Sequence, residues 1–404
     1  LARARRTPRA VQARPLRRPM SPRRIVIVGA GPAGLATARA YREAGGTAEV
    51  TMLGKETLIP YSRPPLTKEF LRGELDASEL PIEEPSWFEE HDIQLRLGCQ
   101  VTAIDPSTGA VHADGYALRA DAIVLATGAE PSRPDLPGLD DPRVHTMRER
   151  PDSERIASQV KPGTRTIVLG TGFIGCELAA SLALRGTHVT LVGQEPAPQQ
   201  QRLGAEVAEH IARWLADLGV TLRMGMKVSA VHNGRIVALN HGDPIEADNV
   251  VLGMGVQPRS ELAEQAGLTI VKGAILTDAQ MRAHDRVLAV GDVAYAHNRS
   301  AGRRLRVEHW GDALGQGEIA GRVLAGQNTH WQDVPGFWST IGQHTLKYAA
   351  WGDGHDKCRL DEHPDSSFTV WYSHHDKLVG ALTHNRDEDY EQAQQLIAAG
   401  GSPP

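Results

Sequence analysis

The sequence holds only three cysteines, Cys99, Cys176 and Cys358, and no two of them stand at CxxC or CxxxxC spacing. That argues against disulfide chemistry and predicts a reducing, cytoplasmic setting. No apolar run approaches the roughly 18 residues that a membrane span requires, so a soluble chain without a membrane partner is expected. Acid is missing from the first 24 residues, which carry nine arginines. Such a segment buries too little apolar surface to order itself, so residues 1–22 are expected to be a disordered Arg-rich extension, either an addition ahead of Met20 or a targeting peptide. Subtracting those nine charges from the formal net charge of −5 leaves a body at −14, an acidic balance that speaks against nucleic acid as a partner. Metal is not expected either, because His374-His375 has no further ligand at metal spacing.

What is present is length enough, 404 residues at 41% hydrophobic, for two or three cores. Residues 23–34, RRIVIVGAGPAG, read as a buried strand of β-branched residues running into Gly29-x-Gly31-x-x-Gly34, with the helix-like LATARAYREAG and a second strand, VTMLGKE, behind it. The three glycines serve a tight turn, close approach of the backbone to a pyrophosphate, and close packing of helix on strand. Glu56, 22 residues beyond Gly34, stands where a carboxylate accepts hydrogen bonds from an adenosine ribose.

The unit recurs. TIVLGTGFIGCELAASLALRG, residues 166–186, places Gly170, Gly172 and Gly175 after another strand, and VTLVGQE at 189–195 matches VTMLGKE at 50–56 in residue class. ADAIVLATGAEP at 120–131 pairs in the same way with ADNVVLGMGVQP at 247–258. Two motifs repeated in the same order, at offsets of 141 and 127 residues, predict two dinucleotide-binding domains of common design. The run LAVGDVA, 288–294, reads as a strand ending at Gly291-Asp292, where an Asp can accept from the ribityl hydroxyls of a flavin.

With these motifs the sequence resembles the FAD-dependent NAD(P)H:ferredoxin reductases that serve oxygenases, a branch of the glutathione reductase fold related to apoptosis-inducing factor. Its most specific pieces are YSRPPLTK at 61–68, Gly170–Glu177, Gly291-Asp292, RVEHWGDALGQG at 306–317 and GFWS at 336–339. The resemblance implies an α/β fold of two Rossmann-like dinucleotide-binding domains plus a C-terminal α+β interface domain. FAD would occupy 23–130 and 259–334, the nicotinamide dinucleotide 131–258, and the interface domain 335–404. It implies FAD on Gly29, Gly31, Gly34, Glu56, Arg63, Pro64, Lys68, Thr127, Gly128, Asp292, Glu308, His309 and Trp310. NADH or NADPH would lie on Gly170, Gly172, Gly175, Glu177, Glu195 and Gly255. Pro64 and Pro65 would stiffen the chain where it crosses the flavin ring, and Lys68, paired with Glu177, would place charge beside flavin N5 as the catalytic unit.

Relatives of this fold that reduce disulfides, or that act as NADH oxidases and peroxidases, carry cysteine in the stretch where this chain has Ser62 and Arg63. Electrons are therefore expected to leave the flavin directly for a [2Fe–2S] ferredoxin. A redox-dependent binding protein like apoptosis-inducing factor, and a flavin NADH oxidase, are the alternatives. Two positions depart from the family pattern: Gly193 where NADH-preferring relatives carry Glu, with Glu195 the nearest acid, and FWSTIG at 337–342 in place of FWSDQ. Cys176 is expected to be a small packing residue. Arg299, Arg303, Arg304 and Arg306 form a basic run suited either to solvent or to an acidic ferredoxin. A monomer or weak homodimer is expected.

Overall fold

The structure is a computed structural model and describes residues 22–404. The expected Arg-rich extension lies outside the described residues except for Pro22.

The strand Arg24–Val28, buried along four of its five residues, sits between Glu49–Leu53 and Ala122–Leu125, parallel to both. The helix Pro32–Glu43 makes the crossover between the first two strands, beginning with proline at a position where a missing N–H costs nothing. This six-stranded sheet is completed by 93–96 on one edge and, on the other, by 282–284 and 287–289, which return from far along the chain. The helix Trp310–Leu324 then packs on Pro32–Glu43. Small residues allow this: a Cβ on Gly317 or Gly321 would come within 2.4 Å of the Ala33 or Thr37 carbonyl oxygen.

Between residues 125 and 282 the same topology is built again. Arg165–Leu169 lies between His188–Val192 and Asn249–Leu252, and the edges are 221–223 and 144–146, all parallel. The chain enters and leaves this unit through Ala129–Pro131 and Val256–Pro258, which pair antiparallel as a two-stranded ribbon. A five-stranded antiparallel sheet follows, in the spatial order 336–341, 344–350, 377–384, 368–374 and 357–362, with the helix Asp387–Ala399 laid on it through Ala393 and Ile397. The fold class is the expected α/β arrangement with a C-terminal α+β domain.

Local boundaries differ from the sequence reading in two places. The strand expected over 50–56 stops at Leu53, so Glu56 sits in the loop beyond it. The run 288–294 is not one strand: it breaks after Ala289, and Gly291–Val293 forms a single 3-10 turn. Gly291 has φ +74, a conformation that glycine adopts without steric cost and that ends an extended run.

Candidate functional site

Both glycine fingerprints take the form their spacing requires. Gly29 (φ +117) and Gly170 (φ +106) turn so tightly that a Cβ would meet the Ala126 or Gly253 carbonyl oxygen at 2.1 or 2.4 Å. Gly34 and Gly175 seat their helices on the preceding turns, where a Cβ would meet Gly29 O at 2.2 Å and Gly170 O at 1.9 Å. Gly31 and Gly172 cap the two helices with no side-chain hydrogen bond, leaving the first-turn N–H groups for an anion. One cavity of about 1330 Å³ connects the two helix ends. Uncapped N–H groups at both ends, glycine where a side chain would obstruct, and acceptors between them fit two dinucleotides meeting in the middle.

Almost every residue expected at the site borders this cavity: Gly29, Gly31, Glu56, Arg63, Pro64, Lys68, Thr127, Gly128, Asp292 and the Glu308–Trp310 segment from the first set, and Gly172, Glu177, Glu195 and Gly255 from the second. Gly34, Gly170 and Gly175 do not reach it; Gly34 and Gly175 seat their helices beneath it and Gly170 makes the tight turn.

The YSRPPLTK stretch is stiffened by more than its prolines. Pro64–Thr67 forms a 3-10 turn, and Tyr61 and Leu66 bury into the core of the second unit. Glu56 Oε2 accepts from the Tyr61 hydroxyl at 2.6 Å, and Glu56 Oε1 from Arg63 Nη2 at 2.5 Å. Arg63 also donates to Arg148 O at 2.9 Å, and Arg150 N–H donates to the Tyr61 oxygen at 3.0 Å. Burial pushes the Tyr61 phenol well above its ordinary pKa, so it stays a donor to Glu56. Glu56 thus ties the loop together before any ribose arrives, and each of its oxygens retains a lone pair for one.

Lys68 and Glu177, from different units, are 5% and 6% exposed and lie 3.4 Å apart, Nζ to Oε2. Tighter contacts to the same carboxylate were not legible in the sequence: Thr67 Oγ1 donates at 2.5 Å and Ser339 Oγ at 2.7 Å. Arg148 was likewise missed; its Nη2 lies 2.5 Å from Asp292 Oδ2. Glu308 faces Arg306, whose Nε is 3.2 Å from its Oε1, yet that buried oxygen accepts no hydrogen bond and borders the cavity, as a ligand-facing acceptor would. Burial raises the Glu308 pKa despite Arg306. His309 Nδ1 is 3.1 Å from Asp312 Oδ2, in the first turn of the Trp310–Leu324 helix.

Outside the cavity, Cys176 is fully buried with its Sγ 3.5 Å from Thr171 O, and burial pushes its thiol far up, away from thiolate chemistry. Most of the basic run is engaged within the chain: Arg303 with Asp353, Arg304 with Thr277 O, and Arg306 with Glu308 and Lys272 O. Tertiary folding brings Asp356 to His374 and His375, at 3.4 and 3.7 Å, where the sequence showed no third ligand; all three are exposed, and the Asp356 carboxylate also accepts the His375 N–H.

The profile of the pyridine nucleotide-disulphide oxidoreductase family matches residues 23–317, and that of the reductase C-terminal domain matches 336–404. The chain belongs to the pyridine nucleotide-disulphide oxidoreductase family. Within it, the chain is 32% identical over 381 residues to rhodocoxin reductase of Rhodococcus erythropolis, covering 93% of this chain and 89% of that protein. It is 32% identical to putidaredoxin reductase of Pseudomonas putida, covering 92% and 91%. Among solved structures, a covalent putidaredoxin reductase–putidaredoxin complex superposes with a TM-score of 0.88 at 30% identity over 93% of each chain. The family's name carries a pyridine nucleotide, a ligand that an uncapped helix end behind a glycine fingerprint suits.

Proposed function

We propose that this chain is an FAD-dependent NAD(P)H:ferredoxin reductase that supplies an oxygenase, with FAD on the first fingerprint and the nicotinamide dinucleotide on the second. The balance is one NAD(P)H and two oxidised ferredoxins giving one NAD(P)⁺, one proton and two reduced ferredoxins. FAD, when bound, supplies the conversion from a two-electron hydride to single electrons. The observation that carries the reading is the single cavity joining two fingerprints without a cysteine pair. Of the three cysteines, all free, only Cys99 reaches the cavity, and its thiol lies 3.0 Å from the Tyr116 hydroxyl. The relatives named above are reductases of small electron carriers, which agrees.

In this reading the protein's residues bind and orient. The uncapped helix ends take the two pyrophosphates, and Asp292, Glu308 and the 308–310 backbone hold the flavin side. Lys68 presents its ammonium to the cavity, backed by Glu177. NADH is the coenzyme favoured. A side chain at Gly193 would meet Thr171 Cγ2 at 2.3 Å, so the usual acidic position is closed. Glu195 replaces it: its carboxylate borders the cavity and accepts the Gln201 N–H at 2.7 Å. A carboxylate there accepts from a 2′-hydroxyl and repels a 2′-phosphate, although Arg202, one residue beyond Gln201, also borders the cavity.

The test is anaerobic. Protein reconstituted with FAD is mixed with NADH or NADPH while flavin absorbance is followed, and a [2Fe–2S] ferredoxin is then added with cytochrome c as reporter. Fast bleaching with NADH and cytochrome c reduction only when ferredoxin is present are expected. Bleaching without transfer to any of several ferredoxins turns the reading toward a redox-dependent binding protein, and full-rate oxygen consumption without an acceptor turns it toward an oxidase. A chain that takes up no FAD refutes it.

A further inference from the structure

Three parts of the fold converge on the Glu177 carboxylate. Oε2 accepts from Thr67 Oγ1 at 2.5 Å and faces Lys68 Nζ at 3.4 Å. Oε1 accepts from Ser339 Oγ at 2.7 Å and faces Thr340 N at 3.4 Å. Thr67 and Lys68 follow the first fingerprint, Glu177 lies in the first turns of the second fingerprint's helix, and Ser339 and Thr340 belong to the first strand of the C-terminal sheet. Thr67, Lys68, Glu177 and Ser339 are all buried.

The distances rank the bonds. The two hydroxyl contacts fall in the range of charge-assisted O–H···O⁻ bonds, about 2.5–2.7 Å, whereas the ammonium is well outside the roughly 2.7–2.9 Å of a tight N⁺–H···O⁻ bond. The carboxylate is therefore located by hydroxyls, and the lysine is not drawn fully onto it. A second anchor supports this arrangement: Ser181, one turn further along the same helix, donates to Thr67 O at 2.7 Å, so the 3-10 turn and the helix are bonded in both directions. Phe337, two residues before Ser339, has its ring 4.6 Å from both Phe173 and His309, which places the strand against the nucleotide side as well.

We infer that Thr67 and Ser339 are positioning residues that fix Glu177, and that Ser339 makes the placement of the Lys68–Glu177 pair depend on the C-terminal domain. The inference rests on the reductase reading above. Neither hydroxyl needs to touch a ligand; each acts through the carboxylate. A structural anchor would move stability and FAD content, whereas a positioning role moves the limiting rate of flavin reduction while leaving nucleotide affinity in place.

The experiment uses full-length protein loaded with FAD and three variants. Thr67→Val keeps the shape and removes the donor, Thr67→Ser keeps the donor, and Ser339→Ala removes the other donor. Stopped-flow reduction by NADH gives the limiting rate and the nucleotide affinity, and amide exchange by mass spectrometry is followed over residues 336–341 with and without FAD. Thr67→Val and Ser339→Ala are expected to lower the limiting rate by about tenfold each, the scale of one lost hydrogen bond to a charged group. FAD content and NADH affinity should stay within about twofold, and Thr67→Ser should return the rate to near the parent value. Exchange at Thr340 should quicken in Thr67→Val even without FAD, because its N–H faces the carboxylate that Thr67 holds. Parent-like rates and exchange in Thr67→Val and Ser339→Ala overturn the inference, as does an equal loss in Thr67→Ser. Parent protein that neither NADH nor NADPH reduces would instead overturn the reductase reading.

Discussion

Replacing Gly34 and Gly175 by alanine, one at a time, separates the two fingerprints by function. Both glycines are helical, so alanine brings no backbone strain; the whole effect comes from its methyl group. At Gly34 the Cβ would lie 2.2 Å from Gly29 O, and at Gly175 it would lie 1.9 Å from Gly170 O, where ordinary contact begins near 3.4 Å. Each helix must therefore retreat from its strand by about 1.2 or 1.5 Å, an overpacking that costs on the order of 1–3 kcal/mol. A domain with about 5–15 kcal/mol of stability survives that, so both proteins should fold. Gly34→Ala displaces the end of the helix assigned to the FAD pyrophosphate and should purify with little flavin, while the FAD-free protein keeps its affinity for nicotinamide dinucleotide. Gly175→Ala should keep its flavin. Because Glu177 lies two residues on, it should lose about 100-fold in the rate of reduction by NADH, the scale set by a misplacement of about 1 Å. Flavin content is read from absorbance at the flavin band and the rate from anaerobic stopped flow. Loss of FAD in Gly175→Ala with retention in Gly34→Ala would refute the assignment of ligands to the two units.

Lys68→Ala should retain FAD, leave Glu177 on its hydroxyl partners and slow hydride transfer by about 100-fold; a double variant with Glu177→Ala should be less than additive, and additivity in stopped flow would show that the two do not act as one unit. Tyr61→Phe removes the donor to Glu56 and the acceptor for Arg150 N–H, which should lower stability by about 1 kcal/mol in urea titration and weaken FAD binding. His344 is stacked on Trp214 at 4.3 Å with Asp217, His210 and His384 around it, and burial, then His384, depress its pKa. A depressed histidine takes up its proton more readily in the unfolded chain, so its contribution to stability is complete above the unfolded pKa of about 6.5 and is lost as pH falls below it. Thermal midpoints between pH 8 and 5 should fall toward acid, with a shallower slope in His344→Gln; an unchanged slope would assign the acid loss to other groups. Glu195→Gln should raise the ratio of NADPH to NADH turnover, measured as kcat/KM for each coenzyme.

The α/β class, the doubled unit and the glycine turns at both ends of the cavity were legible in the sequence because each depends on local chemistry. A glycine at φ above +100, or one whose Cβ would strike a carbonyl oxygen of its own turn, is written into a short motif, as at Gly29, Gly34, Gly170 and Gly175. The same holds for a buried β-branched strand beside a helix that opens with proline, and for the acid at Gly291-Asp292. Strand ends were less legible. The strands end at Leu53 and Ala289, short of the VTMLGKE and LAVGDVA runs read for them, and after Ala289 the chain turns at Gly291, φ +74.

What only the tertiary structure decided is the set of partners around each functional group. Thr67 is 110 residues from Glu177 and Ser339 is 162, and nothing in PPLTK or FWST marks those hydroxyls as donors to one carboxylate. Arg148 reaches Asp292 across 144 residues, Asp356 meets a histidine pair, and Thr171 fills the space that closes Gly193 to a side chain. The sequence determined which units form, because backbone geometry and periodicity are encoded within a few residues. The fold decided which side chains meet, because a hydrogen bond depends on distances of a few tenths of an ångström between elements whose relative placement no local motif specifies.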